Sequence, residues 1–586
     1  MPGRRVKDEG GTRLRAGRIQ CVAQVSSPSD EKPRSESSSR SASSGRGALL
    51  VAAGILLSRL MGLVRERVFA HYLGSSDAAG AFKAALRIPN VLQNLFGEGV
   101  LSASFIPVYA GALGKGDEKT AQDVAGGIFG LLALVVALLS AAGLLAAPLL
   151  VDVIAPGLHG EVRELTVRLV RILFPGTGVL VLSAWCLGIL NSHRRFFLSY
   201  AAPVVWNLAQ IVTLLAFGQR TDEAGLVTAL AFGTVAGGVL QFGIQLPQVL
   251  KLLGALRVSL GRGVEGVRRV VVNFGPVVVG RGVVQLSAYV DVALASLLSA
   301  QVIANLTFAQ TLYLLPVSLF GMSVSAAELP EMARAMGEVG EESRAKLRTR
   351  LASGAARIAF FVVPSAAAFL LLGDVVAAAV LQGGAFDFVA SRLVWYLLIG
   401  SSVGLLASTL GRLESSALYA MGDTRTPLRF AVARVVVGAS LAAVLVLVVL
   451  KDLPVALRAM ALPAASGLAA WLEYLLLRRE VTRRVGREGE PGARQWKLWT
   501  AALAAAAVGL GVKVVLVRAF GAGAGLEGLP LGALLPAPAW HPVLTGALVL
   551  GAFGVTYFGV TTALGVPQAR RVVGGILRRV GMGGRA

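Results

Sequence analysis

From Ala48 to Tyr72 the chain reads ALLVAAGILLSRLMGLVRERVFAHY. Its first eleven residues carry no charge, and the apolar run extends beyond Arg59 to meet the roughly 20 residues that a bilayer core demands of a helix. An arginine in the middle of such a run costs at least about 2.5–3.5 kcal/mol on insertion scales. Arg59 therefore requires a partner, a water-filled cavity or a function.

The rest of the chain follows the same pattern. Hydrophobic residues fill 55% of the 586 positions and charged residues 15%, and the mean hydropathy is +0.70. A water-soluble chain of that composition would carry massive exposed apolar surface. Apolar runs near or above bilayer length recur over residues 48–72, 78–112, 122–151, 163–190, 196–217, 225–250, 269–299, 302–331, 351–372, 388–419, 428–450, 454–477, 498–518 and 541–566. The spacing predicts an all-α polytopic membrane protein of about fourteen transmembrane helices, arranged as two pseudo-repeated six-helix lobes and two C-terminal helices.

Residues 1–46, rich in Ser, Arg, Lys, Asp and Glu, bury too little apolar surface to offset their ordering entropy and are expected to form a disordered cytoplasmic tail. The first lobe is expected over 47–260, the second over 261–480, a cytoplasmic linker over 481–497, and the last two helices with a basic tail over 498–586.

The net charge of +23 would suit nucleic acid, but the basic residues sit in short segments between apolar runs, where they set membrane orientation instead. With the N-terminus inside, the inner segments hold ten Lys and Arg in residues 1–46 and seven in 478–497. The outer loops hold three, Arg163, Arg220 and Lys451. Both termini are therefore expected to be cytoplasmic.

Enzyme chemistry finds no support. Cys21 and Cys186 are the only cysteines, and the four histidines (His71, His159, His193, His541) lack the i, i+4 pairing of a helical metal site. Gly521-Ala-Gly-Ala-Gly525 lies between apolar runs, without the strand and helix that a phosphate-cradling loop needs. No catalytic residue, metal or resident cofactor is expected.

An internal repeat points to a transporter. Leu95-Phe-Gly-Glu-Gly-Val-Leu-Ser-Ala-Ser-Phe-Ile-Pro107 is similar to Leu319-Phe-Gly-Met-Ser-Val-Ser-Ala-Ala-Glu-Leu-Pro330, with an offset of 223 between the prolines. Nearly the same offset relates Pro203 to Pro427. Transporters place their substrate sites between such halves.

The intramembrane charges mark that site. At 1.5 Å per residue, Arg59 lies roughly 16 Å into its span and Arg87 roughly 15 Å into the next, both near the midplane. Arg65 and Lys83 reach the same zone, and the nearby acids Glu66 and Asp77 are not expected to neutralise them. Arg281 stands roughly 18 Å into the seventh span, within one residue of Arg59 shifted by the repeat. Asp291, further along that helix, is read as a counter-ion or a coupling-cation ligand. Guanidinium forks bind phosphate oxygens bidentately, so Arg59, Arg65, Lys83, Arg87 and Arg281 suit an anion such as a diphosphate.

Ser58-Arg-Leu-Met-Gly-Leu-Val-Arg-Glu66, Ala70 to Gly74, Ala81-Phe82, Ile88-Pro89-Asn90, Glu98-Gly99 and Phe105-x-Pro107 form an ordered run that resembles the MurJ (MviN) family of bacterial lipid II flippases, within the multidrug/oligosaccharidyl-lipid/polysaccharide exporter superfamily. Tyr419-Ala-Met-Gly-Asp-Thr-Arg-Thr-Pro427 resembles the family's loop between helices 10 and 11. The resemblance implies that undecaprenyl-diphosphate-linked disaccharide pentapeptide (lipid II) is moved to the outer leaflet of the bacterial inner membrane by alternating access, in the company of a cell-envelope synthesis complex. Arg59 and Arg65 match cavity arginines of the family, and Glu66 matches an acid beside them. Pro89, Asn90, Glu98, Asp423 and Thr424 fall in the matching motifs, with coupling or structural roles. Helices 13 and 14 would form a lipid-facing groove for the polyprenyl tail. The coupling cation, Na+ or H+, stays open.

Three family charges are missing. Gly80 stands where an acid usually precedes Ala-Phe, Gln93 or Asn94 replaces an arginine, and the eighth span reads Phe308-Ala-Gln-Thr311 where the family often has an arginine. Arg281 is expected to restore one charge from the second lobe. Two alternatives stand beside lipid II transport: export of another polyprenyl-linked saccharide, and a cell-envelope scaffold without transport. A scaffold has no reason to bear the insertion cost of Arg59, Arg65, Arg87 and Arg281.

Overall fold

Bilayer-length apolar runs leave a backbone no polar partner but itself, and only helices or closed barrels solve that problem. In the computed structural model the described residues, 36–336, 340–486, 492–522 and 538–579, are helical, with two isolated β-bridges, Gly383 to Phe386 and Ala522 to Pro538. The first half comprises α1 (Glu36–Leu73), α2 (Asp77–Arg87), α3 (Asn90–Phe96), α4 (Glu98–Gly114), α5 (Glu118–Leu145), α6 (Ala147–Ile154), α7 (Gly160–Ser192), α8 (Phe196–Phe217) and α9 (Glu223–Leu253). The second comprises α10 (Glu265–Ser296), α11 (Ala300–Pro316), α12 (Ser323–Met336), α13 (Glu341–Leu381), α14 (Phe388–Ala420), α15 (Arg425–Val444) and α16 (Val455–Val485). Then come α17 (Gly492–Phe520), α18 (Pro542–Ala563) and α19 (Pro567–Arg579). Single π-helical stretches, Val317–Met322 and Leu445–Val449, extend α11 and α15.

Contacts divide the chain into Met1–Leu49 and Leu50–Ala586, and the second unit holds the bundle. Residues 1–35 of the expected tail, 487–491 of the expected linker and 580–586 of the basic end lie outside the described residues.

Twelve helical segments among the described residues are long and apolar enough to cross a membrane, so this is a multi-pass membrane protein. The expected count of fourteen requires α1 and α10 as well. The side chains of residues 36–53 and 55 in α1 and of 276, 279–281, 283 and 284 in α10 lie outside the described ones.

The second expected crossing is less regular than its apolar run suggests. It is three helices, α2, α3 and α4, broken at Pro89 and Gly97. Proline has no N–H to donate to the preceding turn, and Gly97 takes an extended conformation (φ −85°, ψ −158°) as the N-cap of α4. The third crossing likewise divides into α5 and α6, with Pro148 in the first turn of α6.

Two packing features position the site. In the second half, α14 and α16 meet so closely that a Cβ on Gly404 would lie 2.3 Å from Gly467 Cα, the small-residue packing by which membrane helices gain van der Waals contact. Between the halves, α10 lies against α3 and α4 as well as α11 and α15, and α2 lies against α11. α17 and α18 pack on each other and on α13.

Candidate functional site

The cation cluster condenses around one carboxylate. Glu66 on α1 is 3% exposed. It accepts a hydrogen bond from Arg65 Nη2 at 2.5 Å and one from Lys83 Nζ at 2.7 Å. Lys83 comes from α2, whose start is fixed by Ala79 N–H donating to Ser76 Oγ at 3.2 Å. Its ammonium stands 3.9 Å from the centre of the Phe69 ring and 5.3 Å from that of Phe308 on α11. The Arg65 guanidinium carbon lies 5.1 Å from the Trp206 ring. Aromatic faces thus take over part of the stabilisation that water would give. Glu66 pairs with both neighbours, and one carboxylate against two cations leaves the node net positive, so the cluster is not neutralised.

The other expected residues are distributed around it. Arg59 is exposed on α1 and makes no ion pair within 4.0 Å among the described residues. Asp77 is exposed in the first turn of α2, where an acid complements the helix dipole. Arg87 is partly buried at the end of α2, within electrostatic reach of Tyr289 and Asp291 on α10. Asp291 is partly buried and also senses Arg434 on α15. Pro89 caps α3 and Asn90 is its first residue, while Glu98 is exposed in the first turn of α4. Arg281 belongs to α10, but its side chain lies outside the described ones.

Asp423 and Thr424 belong to the connection between α14 and α15, away from the node. Asp423 accepts from the N–H groups of Arg425 and Thr426, each at 3.0 Å, from Thr426 Oγ1 at 2.7 Å and from Arg484 Nη2 at 2.7 Å. It serves as the cap of α15. Those donors, with Arg484, hold its carboxyl well below the usual carboxylate range. Thr424 occupies the N-cap position without a side-chain bond.

The two halves are joined where α1 ends. Arg67 Nη1 donates to the carbonyls of Ala379 (3.1 Å) and Val380 (2.8 Å), satisfying the C-terminal end of α13. Ala385 N–H donates to His71 O at 2.8 Å, and Asn305 Nδ2 to Ser75 Oγ at 2.6 Å. Gly80 explains one of the missing family charges: a Cβ there would lie 2.0 Å from Ala300 O. No acidic side chain fits at that approach of α2 to α11.

Two charge groups went unread in the sequence, although the insertion cost that singles out Arg59 applies to them too. Arg434 on α15 donates to Glu473 on α16 at 2.9 Å. Lys513 on α17 donates to Asp374 on α13 at 2.6 Å, with Arg392 of α14 at 3.8 Å from the same oxygen and all three side chains no more than 2% exposed. That buried trio ties the C-terminal helices to the second half.

Comparison with known proteins agrees with the geometry. The family model described as lipid II flippase MurJ matches residues 69–529. A probable lipid II flippase MurJ of Rhizobium tropici is 31% identical over 442 residues, 74% of this chain and 80% of that protein. The lipid II flippase MurJ of Burkholderia cenocepacia is 30% identical over 399 residues, 67% of this chain and 76% of that protein. Among solved structures, lipid II flippase MurJ in an inward closed conformation superposes with a TM-score of 0.66 at 21% identity, covering 87% of this chain and 99% of that one. An inward-facing multidrug-resistance MATE transporter of the MOP superfamily gives 0.59 at 20% identity, covering 74% of this chain and 98% of that one. With the family model covering most of its length and a cationic node held between its two halves, this chain belongs to the lipid II flippase MurJ family.

Proposed function

We infer that this protein is a lipid II flippase: it carries undecaprenyl-diphosphate-linked glycopeptide from the inner to the outer leaflet of the bacterial inner membrane by alternating access, with both termini in the cytoplasm. The process is translocation and breaks no bond. The observation that carries this reading is the node in which Arg65 and Lys83 share the single carboxylate of Glu66, beside Phe308 of the second half. Its surplus positive charge suits a diphosphate, and its place between the halves suits a site that changes sides as they rock. The curated relatives carry the lipid II flippase name, which supports the same substrate. With the N-terminus in the cytoplasm, the contacts that join the lobes beside the ends of α1 and α13 would lie on the outer side, which supports an inward-open or inward-closed stage of that cycle. A coupling cation and a cell-envelope synthesis complex would act on this same cycle.

Export of a different polyprenyl-linked saccharide is the second reading, favoured by Gly80 and Thr311 at positions where family charges are absent. Complementation separates the two. Expression in a strain depleted of its own lipid II flippase should restore growth, and Arg65→Ala and Lys83→Met, at equal membrane abundance, should not. Failure of the wild-type chain to restore growth would leave the second reading in place.

A further inference from the structure

The eighth span of this chain lacks an arginine, so the second half must meet an anionic substrate by other means. α11 carries Thr311, whose hydroxyl is committed to the carbonyl of Thr307 at 3.0 Å. Arg434 lies nine residues into α15, roughly 14 Å along the helix and deep inside the crossing Arg425–Val449. It is held by Glu473 at 2.9 Å, with the two side chains 37% and 13% exposed. Gly438, one turn later on the same face, packs against Ala469 of α16, which fixes Arg434 towards Glu473. Asp291 of α10 lies within electrostatic reach of Arg434 and of Arg87 from the first half. Arg87 itself makes no ion pair within 4.0 Å among the described residues.

Arg434 on α15 and Glu473 on α16 form the paired member of this group, at 2.9 Å. Part of the Arg434 side chain is exposed, so its guanidinium is open to a second partner beside Glu473. The planar fork that binds Glu473 fits a phosphate group equally well. Neither guanidinium is locked in place as Lys83 is.

We propose that Arg434 is the second half's phosphate-binding residue, and that Glu473 is the internal counter-ion that holds Arg434 in the empty protein and releases it to the diphosphate of the lipid-linked substrate. The proposal rests on the flippase reading and adds to it the residue through which the second lobe grips the substrate. Glu473 is a positioning residue: it competes with the substrate for the same fork. Because the competition ends when phosphate arrives, each lobe is tied to the substrate only when it is loaded, which couples loading to the movement of the halves.

The opposite signs of two substitutions make the test. Binding of geranylgeranyl diphosphate to the purified full-length protein in detergent, with geranylgeraniol as the uncharged control, should weaken at least about tenfold in Arg434→Ala. Tenfold corresponds to about 1.4 kcal/mol. Glu473→Gln, which removes the competitor and keeps the shape, should tighten binding by about threefold. Arg434→Lys keeps the charge without the fork and should fall between wild type and Arg434→Ala; it serves as the reporting variant if Arg434→Ala does not fold. A purely structural pair would give Arg434→Ala and Glu473→Gln the same loss of thermal stability and no opposed change in affinity, which overturns the proposal. Wild-type protein that restores growth and binds the diphosphate, with Arg434 variants that bind equally well, refutes the role of Arg434 alone. Wild-type protein that does neither overturns the flippase reading and this inference together.

Discussion

Glu66→Gln tests the node from which the function is argued. The substitution preserves shape and removes one charge from a side chain that is 4% exposed, beside a Lys83 side chain 5% exposed. Leaving one member of a buried pair without its partner costs about 3–5 kcal/mol. Lys83 carries most of that cost, since Arg65, 18% exposed, keeps solvent and the Trp206 face. Adding Lys83→Met removes the stranded charge with little change of volume, and replacing a buried pair by apolar or neutral groups is often near neutral. The double variant should therefore be more stable than Glu66→Gln alone, with a coupling of about 2–3 kcal/mol in the double-mutant cycle. Denaturant unfolding of the purified protein in detergent measures all four corners. Strict additivity would refute the pairing. The double variant keeps Arg65 and with it the node's surplus charge, so adding Arg65→Ala, which removes the last cation, should abolish transport in a protein that still folds.

The buried trio predicts an unequal pair of variants: Asp374→Leu removes the carboxylate that Lys513 and Arg392 share, whereas Lys513→Met leaves Asp374 with Arg392, so the first should lower thermal stability well beyond the second, and equal losses would contradict a shared carboxylate. Gly80→Ala places a Cβ against the Ala300 carbonyl and should push α2 off α11. Cross-linking between cysteines put in place of Ser75 and Asn305 should then drop, and an unchanged yield would show that the approach is slack. Asp423 supplies a pH test. Its folded pKa is depressed by the N–H and hydroxyl of Thr426 and by Arg484, so its stabilisation is full above about pH 4 and is lost as pH falls through the folded value. The stability gap between wild type and Asp423→Asn should be constant from pH 7 to 5 and narrow below pH 4; a gap that widens on acidification would contradict the sign.

Much of the fold was legible because bilayer length is written in local composition. A run such as Ala48–Tyr72 announces a crossing without knowledge of its neighbours. The division of the second crossing was less so, since Pro89 and Gly97 interrupt hydrogen bonding without interrupting hydrophobicity. Charges in apolar runs are conspicuous, and Arg65, Lys83 and Glu66 do gather as one group. Their partners are another matter: Lys83 meets Phe308, and Lys513 meets Asp374 across 139 residues of chain, pairings that no local pattern encodes. Asp423 shows the same limit from the other side. Its motif resembles the family's, yet only the donors of Thr426, Arg425 and Arg484 reveal that it caps a helix. Gly80 reads as a lost charge in the sequence and as a required absence of side chain in the fold.

The central claim is that this chain exposes lipid II on the outer face through a cationic node. It is tested most directly in cells depleted of their own flippase, by the fraction of lipid II cleaved by an enzyme supplied from outside. Wild-type protein should return that fraction to the level of undepleted cells, and Arg65→Ala/Glu66→Gln/Lys83→Met, which leaves the node without charge and is present in the membrane at equal amount, should leave it at the depleted level. A fraction that stays at the depleted level with abundant wild-type protein in the membrane would contradict the account.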